Sequence, residues 1–417
     1  MLCRSRQRRP RLLAIVVVAL LSCSAAVAAP LRLTMDDAVA RATQAHPDLA
    51  AARKAIDVAE ASLQRSKAWL PANPYLSAGA GTTTQEGVSN NFGMYLSQEF
   101  EIAGQRSKRI GVARQDVAKA TSELTGAQQT LVAAVKTAFV DALISTDRAI
   151  LARQGLDITV DLSQHLSRIK DLSDAQRIDL NNAQIQESRA RRDVAATQQA
   201  RDNALSTIRR LLALPPEQDV ELVGTTLHQA RPLLTETEVV ERALRQRPDL
   251  VAQQRALDKA DAQIALVQRE AIPNITLSGN VSRFEGATLS GGDIGVHLPV
   301  FQRKTAELNE AVAERDRERL ELESLKRTIQ QEALEARRAC EVAAVDLQAL
   351  RDVAVPRNEE NLQLQRRLHE RGEATYSELQ GTQLEVLTAR REHLDAVQAY
   401  NAALIELERI VGGSLDP

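Results

Sequence analysis

The residue types that most often carry chemistry are sparse and scattered in this chain. Its six histidines, His46, His165, His228, His297, His369 and His393, never follow a glutamate by three residues and never form His-x-x-x-His. Neither a di-iron helix pair nor a helical zinc motif is therefore spelled out. No Cys-x-x-Cys occurs. Beyond residue 28 the only cysteine is Cys340, at an apolar position of a helical stretch, where it reads as a small buried hydrophobe. Gly291-Gly292 reads as part of a hairpin loop rather than a phosphate cradle, and no nucleotide motif is present. These absences predict no cofactor, no metal site and no enzyme. What remains is charge: 26% of the residues are charged, and carboxylates brought close together attract cations while repelling one another.

Two stretches that cannot be helical organise the chain. Residues 73–101 hold two runs of about ten residues rich in Gly, Thr, Ser and aromatics, without Lys or Arg, around a polar turn at 85–90. Residues 274–301 alternate more cleanly. Ile275, Leu277, Gly279 and Val281 fall on one face, with Thr276, Ser278, Asn280 and Ser282 on the other. A return strand is read with Ile294, Val296, Leu298 and Val300 on the apolar side, opposite Asp293 and His297. Seven of the ten aromatics (Trp69, Tyr75, Phe92, Tyr95, Phe100, Phe284, Phe301) lie in or just before these hairpins. Strands of about ten alternating residues edged by aromatics match a transmembrane β-barrel, and Asp293 and His297 would then face its lumen. Four strands cannot close a barrel, so it would be shared between chains. Soluble hairpins packed on a helical body are the alternative.

The rest of the chain is helical. Aromatics make up only 2% of its 417 residues, which suits long Ala-rich helices better than a compact globular core. Residues 1–28 read as a secretory signal: Arg4, Arg6, Arg8, Arg9 and Arg11 precede an apolar run, and Ala28 offers a cleavage site. A rival cut before Cys23, in Leu20-Leu21-Ser22-Cys23, would make that cysteine a lipidation site. Removing the five arginines takes the net charge from −2 to −7, which argues against nucleic acid as a partner. No other run approaches the ~18 apolar residues of a membrane-spanning helix. Export, hairpin strands and no such helix together point to the outer membrane of a Gram-negative cell.

Long helices are read over 105–170 and 176–214, then over 302–370 and 374–411. In the first, Ile110, Val117, Leu124, Leu131 and Ala138 recur every seventh residue, with Ala113, Ala120, Ala127 and Ala134 between them; in the third, Leu322, Ile329, Ala336, Ala343 and Leu350 do so. Such heptads predict coiled-coil pairing. Roughly 60 residues at ~1.5 Å each give a rod of ~90–100 Å. A polar turn near 171–175 joins the first pair and one at 371–374 the second. The plan is stated twice. With the spacing fixed at 201 residues, positions 34–78 match 235–279 at 15 of 45 sites, which reads as an internal duplication dividing the chain into repeats at 29–230 and 231–417. The predicted fold class is mainly α, with helical hairpins forming an α-barrel and four strands contributed to a β-barrel. A structural envelope coiled coil is the alternative from a different class.

This order of parts, and above all HERGEATYSELQGTQLEVLTARREHLDAVQAYNAALIELERIVGG over 369–413, resembles the TolC-like outer membrane efflux proteins. Both hairpins followed by EIAGQRSKRI and VFQRKTAEL add to the likeness, which covers essentially the whole mature chain. The resemblance implies a homotrimer with a 12-stranded barrel in outer membrane lipid above a periplasmic helical barrel. It also implies two protein partners, a periplasmic adaptor protein and an inner-membrane RND pump. The segment EIAGQRSKRI is similar to that of the branch exporting heavy-metal cations; multidrug export and type I secretion are the other uses. By position, the family's acidic gate residues fall on Asp179 and Glu378, with Arg177, Arg367 and Arg371 as bridging partners. Its adaptor-contacting tips fall on Asp171, Leu172 and Ser173, where a glycine is usual, and on Gly372 and Glu373.

Overall fold

The computed structural model describes residues 30–83, 89–169, 173–224, 226, 230–231, 233–284 and 287–413. The signal segment with Cys23, and the tip residues Asp171 and Leu172, lie outside them. The first half runs β1 (Leu31–Leu33), α1 (Met35–Ala45), α2 (Pro47–Ser66), β2 (Tyr75–Thr83), β3 (Ser89–Phe100), α3 (Gln105–Ser167) and α4 (Asp174–Leu211). After β4 (Val220–Leu222) the same order returns as α5 (Glu236–Gln246), α6 (Pro248–Glu270), β5 (Ile275–Phe284), β6 (Ala287–Val296), α7 (Thr305–Ala349), α8 (Val355–Glu370) and α9 (Tyr376–Val411). Local chemistry explains the breaks. Pro47 and Pro248 each open a helix at its first turn, where the missing N–H costs nothing. Thr34 and Thr235 form capping boxes with Asp37 and Glu238, each side chain satisfying the other residue's backbone N–H.

Helix α3 lies against α2, α4, α6 and α9, while α9 also packs on α7 and α8. The long helices therefore stand in the order α4, α3, α9, α7/α8. Two cores share α3. Leu131, Val135, Ala138, Phe139 and Ala142 point into the first, with Ala38, Ala42, Leu49, Ile208 and Leu212. Val140 and Ile144 enter the second, with Val239, Ile329, Cys340, Tyr400 and Leu407. The heptad drifts as it descends: Ala134, expected on the seam, is exposed, and Val135 takes the buried place. A straight helix at 3.6 residues per turn slips about 20° per heptad. Cys340 is buried as read, and burial pushes its thiol up to about 11, so it is inert as a nucleophile.

Two expectations are corrected. The helix read over 302–370 is interrupted by a π-helical turn, Leu350–Ala354, so Leu350 leaves the regular heptad. Its cause is Pro356, whose ring would crowd the carbonyl four residues back and which has no N–H to donate to it; one extra residue per turn relieves the conflict. The return strand of the second hairpin is Ala287–Val296, not the run through Val300. Gly291 and Gly292 are inside it, paired with Asn280 and Gly279. A Cβ on Gly292 would stand 3.2 Å from the Ser278 carbonyl oxygen, so the pair marks close strand approach rather than a loop. Leu298, Val300 and Phe301 lie beyond the strand, exposed.

Gly412 ends α9 with φ 85°, and a Cβ there would meet the Gln246 carbonyl oxygen at 2.9 Å; Gly372 ends α8 with φ 74° and nothing within 4 Å. Gly372→Ala should cost about 1–2 kcal/mol, the left-handed penalty alone. Gly412→Ala should cost measurably more in the same denaturation series followed by circular dichroism.

Candidate functional site at the helical tips and the sheet

The strands form one antiparallel sheet in the order β2-β3-β5-β6, with β3 and β5 joining the hairpins. Directly paired residues project to the same side, so the register sorts the two faces. One carries Leu76, Met94, Val281 and Phe92, and then Leu96, Leu277, Ile294 and Val296. The other carries the row Tyr75, Ser97, Ser278, Asp293 and the row Ser77, Tyr95, Asn280, Gly291. Along β5 burial is inverted relative to a soluble sheet, and β6 is exposed on both faces. Leu277, Val281 and Ile294 are 44%, 49% and 72% exposed, whereas Thr276, Ser278, Asn280 and Ser282 are partly covered. Asp293 lies on the polar face and accepts from Ser278 Oγ at 2.6 Å. Glu99 shares that face and accepts from Asn274 Nδ2 at 2.9 Å. His297 lies past the end of β6, beside Glu270, Pro273 and Lys304.

At the other end of the long helices, both tips are built by caps. Ser173 opens α4 with a capping box: its Oγ accepts from the Gln176 N–H at 3.3 Å, and Gln176 Oε1 accepts from the Ser173 N–H at 3.0 Å. At the second tip the backbone turns through Gly372, and Thr375 opens α9. Glu378 Oε2 accepts from the Thr375 N–H at 2.8 Å and from its Oγ1 at 3.0 Å. These bonds, the backbone one foremost, hold the Glu378 carboxyl below the usual carboxylate range. Glu378 is thus engaged within its own chain. Arg371 pairs with Glu373 at 3.2 Å, both exposed. Asp179 and Arg177 stand exposed on α4, with no side-chain ion pair between them or to another described residue.

A cluster at this end escaped the sequence reading. Tyr376, in the first turn of α9, donates its hydroxyl proton to Asp161 of α3 and accepts from Gln380 Nε2 at 2.7 Å. Its ring lies 4.3 Å from that of His165 at 31°, and 5.9 Å from that of His369. His369 Nδ1 in turn lies 2.9 Å from the Ala374 carbonyl oxygen. Burial, together with the Asp161 bond, raises the Tyr376 pKa, so the hydroxyl remains a donor. One signal was available: of the three aromatics outside the hairpins, Phe139 and Tyr400 are core residues, which leaves Tyr376 unaccounted for.

The arrangement has no enclosed reactive centre. Among the described residues no three His, Cys, Asp or Glu side chains come together as metal ligands, and no helix is long and apolar enough to cross a membrane. It offers instead an apolar-outside sheet joined to long helices with a tied end.

Comparison with known proteins agrees with this geometry. The chain is 24% identical over 383 residues to the cobalt-zinc-cadmium resistance protein CzcC of Cupriavidus metallidurans, covering 91% of this chain and 90% of that one. It is 26% identical over 276 residues to the nickel and cobalt resistance protein CnrC of the same organism, covering 64% and 63%. The open-state crystal structure of the Neisseria gonorrhoeae MtrE outer membrane channel superposes with a TM-score of 0.76 at 20% identity, over 91% of this chain and 89% of that one. The sequence signature described as outer membrane efflux protein matches twice, at residues 38–214 and 239–413. Spanning both halves and both hairpins, those matches establish that the chain belongs to the outer membrane efflux protein family.

Proposed function

We propose that three copies of this chain form the outer membrane channel of a tripartite efflux system that passes heavy-metal cations. The observation that carries this reading is the sheet's exposed apolar face, backed by a polar one, with β2 and β6 as its edges. An exposed apolar face belongs against lipid, and unpaired edges are not tolerated there. Because the four strands alternate in direction, β6 of one copy set beside β2 of the next continues the antiparallel order. Three copies give twelve strands, enough to enclose a lumen. Asp293 and Glu99 would line it. The helices close in parallel: α4 leaves Ile178 and Ile185 exposed on its outer edge, while α7 and the π-helical turn leave Val342, Val345 and Val353 exposed on theirs. Those edges meet between copies.

The recurrence of the family match in each half supports duplication as the origin of the repeated plan. The metal assignment rests on CzcC and CnrC, whose names carry cobalt, zinc, cadmium and nickel resistance. The chain contains no motif for an energy source, so transport is driven by an inner-membrane pump reached through a periplasmic adaptor at the tips, where Ser173, Gly372 and Glu373 lie. Deletion of the gene should sensitise cells to zinc, cobalt, cadmium or nickel salts and not to antibiotics and dyes. Sensitivity to drugs alone would move the channel to multidrug export.

In this reading the Asp161–Tyr376 bond latches α9 to α3 and holds the periplasmic entrance narrow, and Asp179 and Glu378 form acidic rings. A hydrogen bond to a charged group is worth about 1.5–3 kcal/mol, less when exposed. Tyr376→Phe should therefore raise the open fraction of single channels by roughly tenfold. Glu378→Gln keeps a capping-box acceptor while removing the charge, so it separates two roles. A ring of charge predicts lower cation selectivity in the bilayer; a cap alone predicts no change.

A further inference from the structure

We propose that Asp161 and His165 form a weak, exchangeable site for a divalent transition-metal cation of the zinc type, and that occupation of this site releases the latch on α9. The inference rests on the efflux reading above and deepens it: the cargo would open its own entrance.

The two residues stand four apart on α3, so their side chains lie on one face of the helix. That is the spacing at which two helical donors converge on one metal ion. Both side chains act on the same group. Asp161 accepts the Tyr376 hydroxyl proton, and the His165 ring stacks on the Tyr376 ring at 4.3 Å. Both residues are exposed and reachable from solvent. A second observation concerns the group that the latch would turn to once released. Gln380 is 4% exposed and gives its Nε2 to the Tyr376 hydroxyl, yet its carbonyl Oε1 is buried with no hydrogen-bond partner. Buried polar atoms are rarely left unpaired. This one belongs to the amide whose nitrogen holds the hydroxyl that the metal would set free.

The donor set decides the ion. A carboxylate with an imidazole suits zinc, cobalt and nickel, whereas magnesium and calcium prefer oxygen ligands alone. Since no three such donors meet among the described residues, water fills the remaining positions and the ion exchanges, as a conduit requires. A cation on the Asp161 carboxylate competes directly with the Tyr376 hydroxyl for the same lone pairs. The bond joining α3 to α9 is then lost, and Tyr376 is free to turn toward the Gln380 carbonyl as its new acceptor.

The full chain reconstituted in planar bilayers tests this with zinc chloride against magnesium chloride at equal ionic strength. Zinc should raise the open fraction of the native channel about tenfold, the shift expected from losing a hydrogen bond to a carboxylate, and magnesium should not. His165→Ala should lose the zinc response, and Asp161→Asn should lose both the latch and the response. An equal zinc response in native and His165→Ala channels, or none in the native channel, overturns the proposal. Calorimetric titration of the detergent-solubilised trimer with zinc stands apart from conduction: one fewer zinc site per chain in His165→Ala supports it, and equal uptake overturns it. A native protein that forms no channel would instead sink the efflux reading, with the titration still deciding the site.

Discussion

The double burial of α3 is the constraint on which the rest of the molecule depends. Phe139 and Val140 are neighbours in sequence yet enter different cores, one built with α1, α2 and the end of α4, the other with α5, α7 and α9. A helix that buries two faces has little surface left for water. It therefore acts as the wall common to both halves rather than as one member of a pair. Polar ties across its flank set the register: Lys136 to Glu408 at 2.6 Å, Gln398 to Asp141 at 2.6 Å, and Arg148 with Asp395. They align α3 with α9 along much of its length, which is what brings Asp161 opposite Tyr376.

The sheet obeys a different solvent. In water its exposed leucines, isoleucines and valines would cost about 25 cal/mol for every Å² left uncovered. In hydrocarbon that cost disappears, and the unpaired edges of β2 and β6 become the expensive feature. Copies of the chain are the natural means of pairing them. The glycines of β6 fit this view, since they let strands approach without side chains that would obstruct the polar face.

Charge at the tips is committed before any partner arrives. Glu378 is held by Thr375, Arg371 by Glu373, and Asp161 by Tyr376. Resemblance marked Asp179 and Glu378 as gate acids, and position alone could not say that one of them also caps a helix. A carboxylate fixed by two hydrogen bonds at a helix N-terminus is preorganised as well as charged. Neither acid has an ion pair among the described residues, and Asp179 has no cap bond of the kind that holds Glu378.

Much of this architecture was legible in the chain because its signals are local. Composition placed the first hairpin and period-two alternation the second, heptads placed the long helices, and the likeness of 34–78 to 235–279 pointed to the repeated plan. Capping boxes could have been found the same way, since Thr34, Ser173, Thr235 and Thr375 open helices at matching places in both halves. What the sequence left undetermined was every fact that depends on a distant neighbour. The extent of β6 was decided by pairing with β5, which recruits two glycines that composition assigns to a loop. The short parallel pair β1 and β4, three residues each, has too few side chains to register as a pattern. The face of α3 that enters each core was decided by helical drift over many turns. The bond between Asp161 and Tyr376 joins residues 215 apart. Local periodicity determines which elements form, because it follows from backbone geometry. Only the packing of those elements determines which side chains meet.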